Sequence, residues 1–565
     1  MVKQEKKINL RSRALTQLVL LTGIVLMLNF IGSIWFTRID LTGDKRFTLS
    51  EQSRKIVGNL KDVVYIKVYL EGDFSPGFTR LKESTREMLD ELRTYSKGNL
   101  EYEFIDPAAN TDETERDKLY AQLYQKGIQP TTLEERTAEG VNRKYIWPGA
   151  IISFSNQELG VQLLKDQIGL QPEVMLNNSI QNLEYEIVNG ISKVTNPLQP
   201  AIAFISGHGE LNEMQTADIS MTLKNSYVVE RLAIDGKLGA LDKYKAVIIA
   251  KPDSAFNEKD KFILDQYIMK GGKVVWLLDQ MQVSMDSLSG KGETMALARQ
   301  LNLDDMLFRY GVRLNYDLVQ DIVSALIPVV TGTIGNTPKQ QLMPWYYFPL
   351  MNPYSKHPIV NNLNAVRAQF ISTMDTIAVQ GVEKSVLLTS SRYSRISTAP
   401  ARVSLGIMEF KPDPSMFPQS FLLTGVLMEG EFTSNFKNRI PPVIAQDTAI
   451  GFKEKSKKTA MVVVSDGDII RNDIAKGNPV PLGVDKYTGA TYGNKAFMQN
   501  VMDYLCDDSG LMVVRNKEFR LRLLDPAILD ESKLTLQVVN TVVPVSLILL
   551  FGIVKMYLRR RRYAA

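Results

Sequence analysis

Histidine and cysteine are nearly absent, with two and one respectively among 565 residues. The lone Cys506 excludes an intramolecular disulfide framework, a cysteine-based structural zinc site and a C-x-x-C redox pair. An excess of one charge sign is missing too: 67 basic residues face 62 acidic ones, for a net charge of +5. No RNP, zinc-finger or helix-turn-helix signature accompanies that balance, so nucleic acid is not an expected partner. A phosphate-cradling loop is lacking, because "KGGK" at 270–273 and "GKGET" at 290–294 miss the G-x-x-x-x-G-K-[ST] spacing. Any ATP used by this protein must be hydrolysed by another subunit. Gly271 and Gly272 instead read as the end of a helix. The nucleophile elbow G-x-S-x-G is also missing around "GHG", and the second histidine, His357, sits in the loop-like "YSKHPIV". Cys506 falls among Phe497, Val501 and Leu505 on one helix and reads as a buried structural thiol. No enzyme activity and no cofactor are expected.

Against these absences stand two long apolar runs. "ALTQLVLLTGIVLMLNFIGSIWFT", between Arg13 and Arg38, exceeds the roughly 30 Å hydrocarbon core at about 1.5 Å per residue. It is longer than the apolar core of a signal peptide and ends in Trp35 and Phe36, which suit an aromatic interfacial belt, so an uncleaved anchor is expected. The second run, "LTLQVVNTVVPVSLILLFGIV" from Leu534 to Val554, contains Pro544, which membrane helices tolerate. Its ordinary alternative is a buried core helix. Lys3, Lys6, Lys7, Arg11 and Arg13 precede the first run and Arg559 to Arg562 follow the second. The positive-inside rule then predicts a two-pass inner-membrane protein with both termini cytoplasmic and the main domains periplasmic.

Between the runs, 44% hydrophobic and 23% charged composition is that of a globular chain. Thr48 or Ser50 reads as a helix cap. "VVYIKVYLE", "GFTRLKESTREMLDELRTYS" and "LEYEFIDP" form a βαβ unit, followed by a helix at 112–126 and a strand pair from "YIWPGAIISFS" and "QELGVQLLK". This order is thioredoxin-like. "EGDFSPGF" at 71–78, where that fold keeps its redox motif, has no cysteine. A boundary is expected at 196–200, after which "AIAFIS", "YVVERLAI", "AVIIA" and "KVVWLLD" alternate with helices. Short apolar strands of this kind imply a parallel sheet covered on both faces, a flavodoxin- or amidotransferase-like α/β domain. From about 313 to 450 a β-rich insertion is expected, before "KTAMVVVSDGDII" and the helix "NKAFMQNVMDYLCDD" close the domain.

Ligands of open α/β sheets lie past the carboxyl ends of the strands. Those positions hold Ser206, His208 and Glu210, then Pro252 and Asp253, then Asp279, then Ser465, Asp466 and Asp468. His208, Glu210, Asp279, Asp466 and Asp468 are therefore the candidate ligand-binding residues, for a saccharide or peptide. Taken singly, Gly, Asp and Ser at such positions are ordinary turn formers and helix caps. Only convergence at one edge would raise them above that.

"RIDLTGDKRFTLSEQSRKIVGNLKDVVYIKVYL", "AFISGHGE", "IIAKPDSAFNEKDKFILDQYIMKGGKVVWLLD" and "VVVSDGDII" together resemble the gliding-motility-associated ABC transporter auxiliary (substrate-binding-like) protein of Bacteroidetes. The resemblance implies partnership with an ABC permease subunit and a cytoplasmic ATPase, in a complex needed for gliding and linked to secretion of surface adhesins. It further implies that the second domain is similar to a domain of a ciliary intraflagellar-transport protein for which sugar binding has been proposed. It supplies no catalytic residues. The expected organisation is a basic tail at 1–13, a span at 14–37, the thioredoxin-like domain at 38–196, the α/β domain at 197–512, a linker at 513–533, a span at 534–557 and a basic tail at 558–565.

Overall fold

The computed structural model describes residues 10–34, 48–109, 111–137, 140–165, 167, 170–196, 199–288, 290, 292–334, 337–409, 412–448, 450–516 and 526–563. The chain divides into two compact units, Met1–Lys517 and Glu518–Ala565.

In the first unit a helix covers Leu10–Ile34, with its apolar stretch at Leu15–Met27. Trp35 and Phe36, the expected interfacial aromatics, lie outside the described residues. Ser50, not Thr48, caps the helix Glu51–Gly58, its hydroxyl accepting from the Ser53 amide at 3.1 Å. A four-stranded sheet follows. Val64–Val68 pairs parallel with Leu100–Phe104 and antiparallel with Gly149–Phe154, which pairs antiparallel with Gln157–Gln162. The helices Pro76–Tyr95 and Pro172–Thr195 bury Leu81, Leu89, Leu92, Leu183, Ile187 and Ile191 in its core.

The larger sheet has five parallel strands: Ala201–Ser206, Val228–Ala233, Ala246–Ala250, Lys273–Leu277 and Thr459–Val464. In the sheet they lie second, first, third, fourth, fifth. Alternation along each strand sends its side chains to opposite faces. Phe204, Ile248, Leu277 and Val464 face one core with the helices Ala217–Lys224 and Asn494–Cys506. Ile205, Ile249, Trp276 and Val463 face the other with the helix Glu258–Met269. Both faces are thus covered, which is why Ala246–Ala250 is buried at every position.

The β-rich stretch from about 313 to 450 lies in sequence between two parallel strands, Lys273–Leu277 and Thr459–Val464, and adds to their sheet: Leu423–Gly430 pairs antiparallel with Thr459–Val464. Val382–Thr389, Thr337–Pro353 and Ser324–Ile334 extend it outward in turn. One expectation needs correction: residues 513–516, expected as the start of a membrane-proximal linker, are packed. The turn Leu511–Asn516 packs Leu511, Met512 and Val514 into the core of the N-terminal part, and the Tyr185 hydroxyl reaches the Met512 sulfur. This strap follows the last helix of the α/β part and returns to the first part of the chain.

The second unit is described over the helix Pro526–Tyr563. Its segment Ser532–Arg561 is, by length and composition, the one candidate membrane span among the described residues.

Candidate functional site

All five candidate residues lie at the carboxyl edge of the parallel strands, but they form two groups instead of one pocket. At the end of Ala201–Ser206, Gly207 (φ 115°) and Gly209 (φ 74°) take left-handed conformations open to glycine. The turn they make folds His208 under the edge, where the residue is 5% exposed. Its ring stacks on Phe256 at 3.7 Å between centroids. Nδ1 lies 3.3 Å from Glu210 Oε1 and Nε2 lies 3.2 Å from Asp260 Oδ2. Glu210 also accepts from the His208 amide at 2.7 Å. The His208 carbonyl accepts from the Asp253 and Ser254 amides, and Leu211 donates to the Ala250 carbonyl. In this strand order the switch point for a ligand falls between the first and third strands. Here the chain's own turn closes it.

Burial alone would lower the His208 pKa, but Glu210 and then Asp260 outweigh it and hold the ring above its ordinary value. When protonated, the ring donates to both carboxylates. Stability from this pairing is present below the ordinary histidine value and lost as pH rises through the raised native one. His208→Ala should therefore cost about 2–3 kcal/mol at pH 6, from lost packing and hydrogen bonds. The deficit should narrow by pH 9. Urea titrations at the two pH values check this, and a deficit that widens at pH 9 would contradict the assignment.

The second group gathers Asp279, Asp466 and Asp468, whose carboxylate oxygens lie within 4.8 Å of one another. Three buried carboxylates would suit a cation, and the chain supplies one. Lys251, directly after Ala246–Ala250, places its ammonium 2.9 Å from Asp279 Oδ2 and against Asp468 Oδ2. Arg471 reaches Asp468 Oδ1 at 3.3 Å. The remaining oxygens accept backbone amides at 2.6 Å: Asp279 from Gly467, and Asp466 from Gln369 and Asp468. Burial first, then Asp279 and Asp468, push the Asp466 carboxyl well above the usual carboxylate range. Lys251 bridges Asp279 and Asp468, and Arg471 adds a second cation on Asp468. The cluster is hydrogen-bonded and carries its own cations, a strand-end latch.

Among the other strand-end residues, the Ser465 hydroxyl donates to the Ser372 and Thr424 carbonyls, and Asp253 is exposed. Cys506 is buried, and burial pushes its thiol up to about 12. Burial lowers His357 to about 4, its ring edge-on to Tyr504. Lys251, Asp260 and Arg471 escaped the sequence reading. Lys251 carried a usable signal, a lysine immediately past a fully apolar strand. Asp260 looked like an ordinary first-turn acid on the helix capped by Asn257.

Comparison with known proteins adds the following. An uncharacterized protein of Borreliella burgdorferi is 21% identical over 539 residues, covering 94% of this chain and 95% of that one. Among solved structures, the mmIFT52 N-terminal domain matches with a TM-score of 0.31 and 14% identity, covering 55% of this chain and 98% of that one. A family model described as a domain of unknown function matches residues 43–153. A second, described as an ABC-type uncharacterized transport system, matches residues 199–501, more than half of the chain. The chain therefore belongs to this ABC-transport auxiliary family.

Proposed function

We propose that the protein is a non-enzymatic accessory subunit of an ABC transporter, working with a permease subunit and a cytoplasmic ATPase. Two spans anchor it in the inner membrane, with both termini cytoplasmic and the bulk of the chain periplasmic. The observation that carries this reading is the closed strand-end edge. His208, Glu210, Asp279, Asp466 and Asp468 bond to the chain's own amides and cations at the place where a doubly wound sheet holds its ligand. The buried strap Leu511–Asn516 adds support, since it ties the segment leading to the C-terminal helix into the core of the N-terminal part. Such a tie suits a permanent subunit better than a shuttling receptor.

The finer fold reading is a thioredoxin-like part without redox cysteines and a flavodoxin-like parallel half. Its support is the strand order 2-1-3-4 with the third strand reversed in one sheet, and 2-1-3-4-5 in the other. A role in gliding motility and adhesin secretion draws its support from the order of the sequence motifs. Affinity purification of the tagged chain from gently solubilised native membranes should bring down the permease and ATPase in near-stoichiometric amounts. Recovery of the chain with neither would refute the proposal.

A saccharide- or peptide-binding component of the same transporter is the second reading. It is favoured by two cavities of about 430 and 400 Å³ that share Tyr185, Asn189, Lys193, Ser226 and Asp503. They lie between the helices Pro172–Thr195 and Asn494–Cys506, away from the strand-end edge. Lys193 and Asp503 bridge these helices at 2.8 Å.

A further inference from the structure

Within the C-terminal helix Pro526–Tyr563, four residues break the apolar run on one side. Gln537, Asn540, Thr541 and Pro544 stand at i, i+3, i+4 and i+7, and so share a face. Pro544 lies inside the helix and has no N–H, so the Asn540 carbonyl, four residues earlier, lacks its helical donor. Thr541 turns its hydroxyl onto the Gln537 carbonyl at 2.6 Å. Among the described residues, the carboxamides of Gln537 and Asn540 have no hydrogen-bond partner. Asn540 is six residues past Leu534, about 9 Å along the axis from the start of the apolar run. In hydrocarbon no water reaches that level, and polar groups there must be met by protein.

We propose that this face is where two copies of the chain pair, helix against helix across a two-fold axis in the membrane. The inference rests on the reading of this helix as a span. A second copy fits because the need is self-complementary. A carboxamide donates and accepts, so each Asn540 Nδ2 meets the other copy's freed carbonyl or its Oδ1. No charged partner is called for, since the sequence between Lys533 and Lys555 is uncharged. The two lysines, at the ends of the run, reach toward the headgroups. An asparagine within a helix–helix seam also sets register between paired helices.

The test uses the full chain in its native membrane. Cys506 is buried and its thiol is held at about 12, so an introduced cysteine reports alone. Thr541→Cys and Ile548→Cys lie on the polar face, whereas Val542→Cys and Leu549→Cys lie opposite. Mild oxidation should give disulfide-linked dimers of this chain from the first two, at least about fivefold above the second two. Asn540→Val and Pro544→Leu should each cut the Ile548→Cys dimer yield about three- to fifteen-fold, the range set by one interhelical hydrogen bond. Pro544→Leu restores helical hydrogen bonding, so its loss of dimer would not reflect a damaged helix. Equal yields on the two faces, or a polar face that cross-links to nothing or to a different polypeptide, would overturn the pairing. Carbonate extraction separates the two readings. A chain released from the membrane sinks the span and the pairing together; a retained chain without dimers sinks the pairing alone.

Discussion

Lys251→Met should lower the unfolding free energy by about 3–5 kcal/mol, the cost of removing one partner from a buried ion pair. The substitution keeps most of the aliphatic stem and the same backbone constraint, since position 251 has φ 54° in either case. What it removes is the cation between Asp279 and Asp468, whose side chains are each 4% exposed. Arg471 remains on Asp468, but its own side chain is 40% exposed, and among the described residues its ion pair is with Asp468 and not Asp279. Asp279 is therefore left buried without a counter-charge. The double variant Lys251→Met/Asp279→Asn should recover at least about half of the loss, because the asparagine oxygen can still accept the Gly467 amide while the stranded charge is gone. Denaturant titration of the detergent-solubilised chain measures both. A single-variant cost below about 1 kcal/mol would show that the ammonium is not what neutralises the cluster. Burial on its own would lower the Lys251 pKa, but Asp279 and then Asp468 raise it. Its contribution is consequently present below the ordinary lysine value while the partner carboxylates are ionised, and is lost as pH rises through the higher native value.

Gly467→Ala should cost about 2–3 kcal/mol by overpacking. A Cβ at 467 would lie 2.4 Å from Lys251 Cβ and 2.7 Å from Lys251 Cα. The second of these is backbone and cannot swing aside. Gly467 has an ordinary φ of −84°, so the cost comes from space and not from dihedral strain. Gly209→Ala makes the contrast. Its Cβ would meet an exposed Asp253 carboxylate that can rotate away, leaving mainly the penalty of φ 74°, about 1 kcal/mol. Thermal unfolding should rank Gly467→Ala below Gly209→Ala, and the reverse order would contradict the close approach of the two strand-end turns.

Much of this architecture was legible in local pattern. "AVIIA" and "KVVWLLD" read as doubly covered strands because a buried parallel strand needs apolar residues on both faces, and they are the third and fourth strands of that sheet. Cys506 read as buried from its helical neighbours, and it is. The antiparallel half of the large sheet was legible as β-rich chain but not in its pairing. Leu423–Gly430 is apolar enough for any strand, and its place beside Thr459–Val464 depends on a register that local sequence does not encode. The strap was missed for a similar reason: "LMVV" at 511–514 has too few residues to show a period, and its partners lie some three hundred residues earlier, as the 327-residue separation of Tyr185 and Met512 illustrates.

The sequence by itself determined the single cysteine and the lack of P-loop spacing, the apolar runs, the strand–helix alternation and the positions of the acidic residues at strand ends. These depend on composition, spacing and short-range period. The tertiary structure decided what those acidic residues do. Lys251 and Asp468 are 217 residues apart in sequence and meet because their strands lie within one sheet, separated by a single strand. A carboxylate's role follows from which donors fold against it, and that pairing is a property of the packed sheet edge.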